Sequence, residues 1–226
     1  MSNLFMAVGA AIGMCIPALA TADDTRYYGS IRAIDAHHQA RNMDAAARPG
    51  IGRFVAGDQK QDFVTGSVAL GRAYGNGWRS EGEYVARRTD TYTSGSGAFI
   101  TSRNHHDVRS QRLMLNVYRD LAINEAWSVY ATAGAGLSQI QSGGWQGTSN
   151  RQYGKATRTG LAWSMGAGVS IAAGANMTVD LGYRYADLGR NESGWNTFAN
   201  ARGLQDEKLQ LDLVSREATL GLRYAF

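Results

Sequence analysis

Four histidines stand as two adjacent pairs, His37-His38 and His105-His106, with Asp35 and Asp107 beside them. Imidazole and carboxylate together can make a surface metal site, and an imidazole in a loop can respond to pH near neutrality. With Ser102 added, the second pair offers the residue types of a seryl hydrolase: nucleophile, base and orienting acid. The spacing argues against both chemistries. Neighbours in extended chain point to opposite faces, so each pair offers one imidazole to any one site. Gly134-x-Gly136 and Gly166-x-Gly168 sit inside alternating runs with no helix after them, so they are not phosphate loops. We therefore assign no catalytic residue, no metal ligand and no cofactor.

A second set of charges is more telling. Arg79, Glu81, Glu83 and Arg87 alternate with Gly82, Tyr84 and Ala86. Arg112 and Asn116 oppose Leu113, Leu115 and Val117. Asp180 and Arg184 oppose Val179, Leu181, Tyr183 and Tyr185. Glu217 and Arg223 oppose Ala218, Leu220, Leu222, Tyr224 and Phe226. A period of two is the mark of a strand with two unlike faces. If the apolar face meets lipid, a charge there at mid-depth costs roughly 2–4 kcal/mol, so the charged sets must face inward. Buried charges persist only when paired. The expectation is a lumen network of Arg79, Glu81, Glu83, Arg112, Asp180, Arg184, Glu217 and Arg223, serving as packing or, alternatively, lining a conducting path.

Turns and loops define the elements that carry these residues. Strands are expected at 26–36, 63–74, 78–88, 108–121, 127–139, 160–172 and 177–187, with an eighth ending the sequence. Gly75-Asn76-Gly77, Asn124-Glu125 and Gly174-Ala175-Asn176 mark tight connections. Four long polar connections alternate with them, including 89–107, 140–159 and 188–210. Regular alternation of short and long connections fits an eight-stranded antiparallel up-and-down transmembrane barrel, all-β, with the long loops outside the cell. A soluble sandwich would not need such regularity.

Composition agrees. There are 28 glycines and 2 prolines, Pro17 and Pro49, both outside the expected strands. Mean hydropathy is below zero, and beyond the first 22 residues no apolar run approaches eighteen residues. Residues 4–20 are apolar and precede Ala20-Thr21-Ala22, so 1–22 reads as a secretory signal peptide and 23–226 as the barrel. The single cysteine, Cys15, falls in that signal, which leaves no thiol or disulfide in the mature chain. The formal net charge of +4 comes without a basic cluster interleaved with aromatics, so nucleic acid is not an expected partner. Trp145, Trp195 and Phe198 fall in the long connections and are candidates for binding an extracellular partner.

The ordered set Leu115-Asn116-Val117-Tyr118-Arg119-Asp120, Tyr130-Ala131-Thr132-Ala133-Gly134-Ala135-Gly136, Trp163 to Ser170 and Asp180 to Gly189 resembles opacity-type outer-membrane proteins. The closing Leu220-Gly221-Leu222-Arg223-Tyr224-Ala225-Phe226 is similar to the family's final strand, in which Tyr224 and Phe226 would serve as the assembly signal. The resemblance implies an eight-stranded barrel of the group containing the OmpA transmembrane domain and the Opa adhesins, without enzymatic activity. It implies a surface protein of the bacterial outer membrane that contributes to envelope integrity, adhesion or host interaction through its loops. Implied partners are outer-membrane lipid and lipopolysaccharide, the barrel-assembly machinery, and an extracellular ligand. A small monomeric porin-like diffusion channel is the alternative, and a lipid-modifying hydrolase is a more distant one.

Overall fold

The computed structural model describes residues 26–43, 54–97 and 101–226. The signal segment with Cys15 and Pro17, and the loop containing Pro49, lie outside the described residues. Eight long strands form the wall: β1 (Arg26–Arg41), β3 (Lys60–Ala73), β4 (Trp78–Ser96), β5 (Asn104–Ala122), β6 (Trp127–Gln146), β7 (Thr148–Ala172), β8 (Met177–Glu192) and β9 (Gln210–Ala225). A short β2 (Phe54–Ala56) pairs with the far end of β4. Every ladder is antiparallel, β1 pairs with both β3 and β9, and the β4–β5 ladder completes the circle. The sheet is a closed barrel, which leaves lipid no exposed strand edge.

The tight turns fall where the sequence places them. Gly75 and Gly77 adopt φ of 72° and 82°, the left-handed region that glycine enters without strain. Asn124 closes the β5–β6 turn by accepting from the Ala126 and Trp127 amides. The opposite ends depart from expectation. Residues 140–159 are not a loop: β6 and β7 run on as a hairpin that turns at Gly147. Most of 89–107 likewise belongs to β4 and β5. Their Gly, Ser and Asn content reads as loop, yet cross-strand pairing with a neighbouring hairpin decides the outcome.

Side chains alternate cleanly through the wall. Leu115, Val117, Leu161, Met165, Leu181, Tyr183, Leu220 and Leu222 are exposed on the outer face. Near the tight turns this apolar band is edged by Tyr27, Tyr74, Trp78, Trp127, Tyr224 and Phe226, all exposed, as an aromatic girdle requires. The band spans about ten residues of each strand, the length expected for tilted spanning strands. Above it the outer face turns polar while the strands continue beyond the membrane.

One irregularity interrupts the wall. The β3–β4 ladder stops at Ser67↔Val85, and β4 carries a bulge between Val85 and Arg88. Above that point β3 and β4 are joined by side chains and loop amides, with Gln61 donating to the Thr91 carbonyl at 2.9 Å and Thr93 N to Asp58 O at 2.9 Å. The extra residue re-aims the side chains beyond it, as bulges do. Arg87, expected inside with Glu83, instead reaches outward to Gln139 Oε1 at 3.4 Å.

Candidate functional site: the filled lumen and the outer rim

All eight expected lumen charges point inward. In the membrane-spanning half they form an alternating chain across the barrel. Arg184 Nη1 lies 2.6 Å from Glu83 Oε2 and its Nη2 2.8 Å from Glu217 Oε2. Arg112 Nη2 meets the same Glu217 oxygen at 2.6 Å. Nearer the tight turns, Arg79 holds Asp120 through two bonds of 2.6 and 3.0 Å, and Arg223 lies 3.1 Å from Asp180.

The sequence reading missed Arg32 and Asp120. Arg32 Nη2 lies 2.7 Å from Glu81 Oε2 and Nη1 lies 3.4 Å from Glu83 Oε1, so it joins the two acids of β4. It shares the inner side of β1 with Tyr28, Ser30 and Ile34, a mixed face that hides the period. With these two added, five guanidinium groups face five carboxylates. Glu81 and Glu83 take further donors. Tyr118 and Tyr28 donate to Glu81 at 2.7 and 3.2 Å, Ser67 and Asn116 donate to Glu83 at 2.6 and 2.9 Å, and Arg79 stacks 4.1 Å above the Tyr118 ring. Multiply bonded carboxylates of this kind are what make a buried ion network tolerable.

Above this layer the filling changes. Ala40, Met43, Tyr92, Val108, Ile140, Ala186, Leu188, Leu211 and Leu213 form one buried apolar cluster across the outer half of the barrel. Burial pushes the Tyr92 hydroxyl well above its ordinary pKa, with Asp90 adding to the effect. Between the layers, beside the β3–β4 irregularity, His38 Nδ1 lies 3.2 Å from Asp90 Oδ2 and its ring meets Phe63 edge-on. A residual cavity of about 10 Å³ remains there, lined by His38, Ser110, Arg112 and Glu217 among others, with room for one water.

The histidine pairs divide between faces as the period requires. His37 is exposed and 2.6 Å from Asp62, while His38 is buried. That hydrogen bond holds the His37 imidazole above its ordinary pKa of 6.5. His105 stacks flat on Trp145 at 4.5 Å, while His106 is buried 3.1 Å from Ser94. Asp107 accepts from Thr91 rather than from an imidazole. In the wall β3 and β4 stand between β1 and β5, the strands that carry the two pairs. Among the described residues no three His, Cys, Asp or Glu side chains are grouped to hold a metal.

The rim is built from the β6–β7 hairpin and the 193–209 segment that leans on it. Gly154 N donates to Trp195 O at 2.9 Å, Gly194 N to Gly154 O at 2.6 Å and Thr197 N to Gln152 O at 2.8 Å. The backbones come so close that a Cβ on Gly194 would stand 2.9 Å from the Gly154 carbonyl oxygen. Asn196 organises the turn, donating to Phe198 O at 2.6 Å and accepting from Glu207 N at 2.8 Å. Of the three aromatic candidates, Trp195 is 56% exposed with Lys208 Nζ 4.2 Å above its ring. Phe198 packs edge-on against Tyr153 beneath Arg151, and Trp145 lies in β6 rather than in a loop.

Comparison with known proteins adds the context. A family model described as outer membrane protein beta-barrel domain matches residues 6–226. Outer membrane protein PagN of Salmonella typhimurium is 27% identical over 146 residues, which is 61% of this chain and 57% of that protein. The chain thus aligns with little more than half of that relative. A protein of Rickettsia bellii provisionally named an adhesin is 25% identical over 182 residues, 77% of this chain and 72% of its own. Among solved structures, Neisserial surface protein A superposes with a TM-score of 0.51 at 17% identity, covering 88% of this chain and 97% of that one.

Proposed function

The chain belongs to the outer membrane protein β-barrel family, and from that premise we propose that it is a non-enzymatic, opacity-type surface protein that attaches through its raised rim. The observation that carries this reading is the contrast between a lumen packed shut and a rim that is built and left open. The buried pairs around Arg184 and the apolar cluster above them argue against a diffusion path. The rim has a backbone scaffold, an exposed tryptophan with Lys208 over its ring, and Arg151 over the ring of Phe198. An aromatic anchor flanked by charge is a common centre of binding energy. The name of one relative, provisionally an adhesin, supports the same reading.

The experiment is surface expression in a non-adherent bacterium, with attachment to cultured cells counted for wild type and Trp195→Ala. Attachment is expected to rise with the wild type and to fall at least several-fold with the variant, at equal surface abundance. Equal attachment by both would remove the rim from the mechanism. Single-channel recording in planar bilayers addresses the alternative, and no stepwise conductance is expected.

A further inference from the structure

The wall breaks a second time, diametrically across from the β3–β4 irregularity. The β7–β8 ladder runs from Ala172↔Thr178 up to Trp163↔Asp187 and stops. Gly189 turns there with a φ of 85°, and its amide donates back to Asp187 Oδ1 at 2.8 Å. β8 then leans inward beneath β7 and meets β6, where Ser138 Oγ donates to the Leu188 carbonyl at 2.6 Å. β7 does not follow. It keeps its ladder with β6 through this stretch and stands out as the last strand of a four-stranded sheet, β4–β5–β6–β7.

The consequence is a free strand edge. Between Trp163 and Gly154 no ladder occupies the β8 side of β7 among the described residues. Thr157, Arg158, Thr159, Gly160 and Leu161 are exposed one after another, so both faces of the ribbon are wet as well as its edge. A Cβ on Gly160 would meet no atom within 4 Å. The first break differs: Gln61 and the Asp58 carbonyl bridge it, and Phe63 is buried within it. Across the second, Arg158 Nη2 reaches Glu192 Oε2 at 2.5 Å from an exposed position, a contact of modest worth. The stretch begins at Leu161, where the lipid-facing band ends, so the edge stands in water outside the membrane.

Unpaired backbone groups on an extended strand are a template for another extended strand. The chain itself uses this edge in that way. Immediately above the free stretch, Gly154 pairs with Gly194 and Trp195, and Thr197 N donates to Gln152 O. Lys155, Arg158, Arg190 and Lys208 surround the free stretch against Asp187, Glu192 and Asp212, a balance on the positive side. We propose that residues 155–162 of β7 are a docking edge for an extended segment of a partner protein, which joins the sheet as a fifth strand and carries acidic side chains. The inference rests on the outer half being an attachment surface and names a polypeptide as what is attached. Backbone hydrogen bonds hold the guest, and its alternate side chains set the choice of partner.

The test uses the full barrel in detergent micelles and a synthetic peptide of alternating threonine and glutamate, with amide hydrogen exchange followed residue by residue. The peptide is expected to slow exchange at alternate amides within 155–162 by at least several-fold. A counterpart with lysine in place of glutamate should protect less, and one N-methylated throughout should not protect at all. Trp195→Ala should leave the protection unchanged while lowering cell attachment, so the edge and the rim anchor fail separately. Absence of protection at millimolar peptide would overturn the proposal, as would equal protection by the N-methylated form. Equal protection by the lysine peptide would overturn its acidic part. Protection that arises without peptide as the barrel is concentrated would give the edge to a second copy of the chain and overturn the proposal as well.

Discussion

The inner and outer halves of the lumen solve the same problem with opposite chemistry. Within the membrane zone the filling is ionic: Glu81, Glu83, Glu217, Asp120 and Asp180 against Arg32, Arg79, Arg112, Arg184 and Arg223. Beyond the membrane it is aliphatic, with Ile140, Leu188, Leu211 and Leu213 at its centre. A lipid-facing wall has spent its large apolar side chains outward, so the inner face there is left with polar residues that must satisfy one another. Above the lipid the outer face is wet, and the strands revert to the arrangement of a soluble protein, apolar inside and polar outside. The two halves teach that a barrel strand of this length is two proteins in series, inverted at the headgroup level.

The largest test of that contrast is Glu83→Leu. It leaves Arg184 and Arg32 buried without their shared carboxylate and is expected to cost about 3–5 kcal/mol, read from denaturant unfolding of the barrel in lipid vesicles. Ile140→Val in the apolar half trims one methyl and is expected to cost about 0.5–1.5 kcal/mol by the same measurement. Equal losses from the two substitutions would mean the halves are not distinct in the way described. The smallest effect lies on the outer surface. His37 has its pKa raised by Asp62, so the pair's contribution is complete below the ordinary value of 6.5 and fades as pH rises through the raised value. A ¹H–¹³C titration should show the His37 pKa falling back toward 6.5 in Asp62→Asn; an unmoved value would assign the shift elsewhere.

Much of this was legible in residue order. The eight strands, three tight turns and inward direction of Arg79, Glu83, Arg184 and Glu217 arise from a period of two that lipid enforces strictly. Each feature that escaped did so for a physical reason. Arg87 was misplaced because a bulge costs one residue and reverses every side chain beyond it, and no residue type at 85–88 announces it. Arg32 was missed because its neighbours on the inner face, Tyr28 and Ile34, are as apolar as those outside. The long β6–β7 hairpin was hidden by a composition poor in strand formers, where pairing rather than propensity holds the extended chain. The rim could not be assembled from sequence because Gly154 and Trp195 meet only once β7 and β8 have paired.

The reach of the ionic contacts along the chain has a consequence for the order of assembly. Arg112 and Glu217 are 105 positions apart, and Arg184 and Glu83 are 101 apart. Neither pair can form while the sheet is an open ribbon. Glu217 arrives on β9, the strand that joins the sheet to β1. Until the ring closes, Arg112 lacks Glu217 and Arg184 lacks Glu83, and the lumen stays wet. Ring closure and drying of the interior are thus one event, so a barrel that has closed in the wrong register is marked by guanidinium groups that still need solvent.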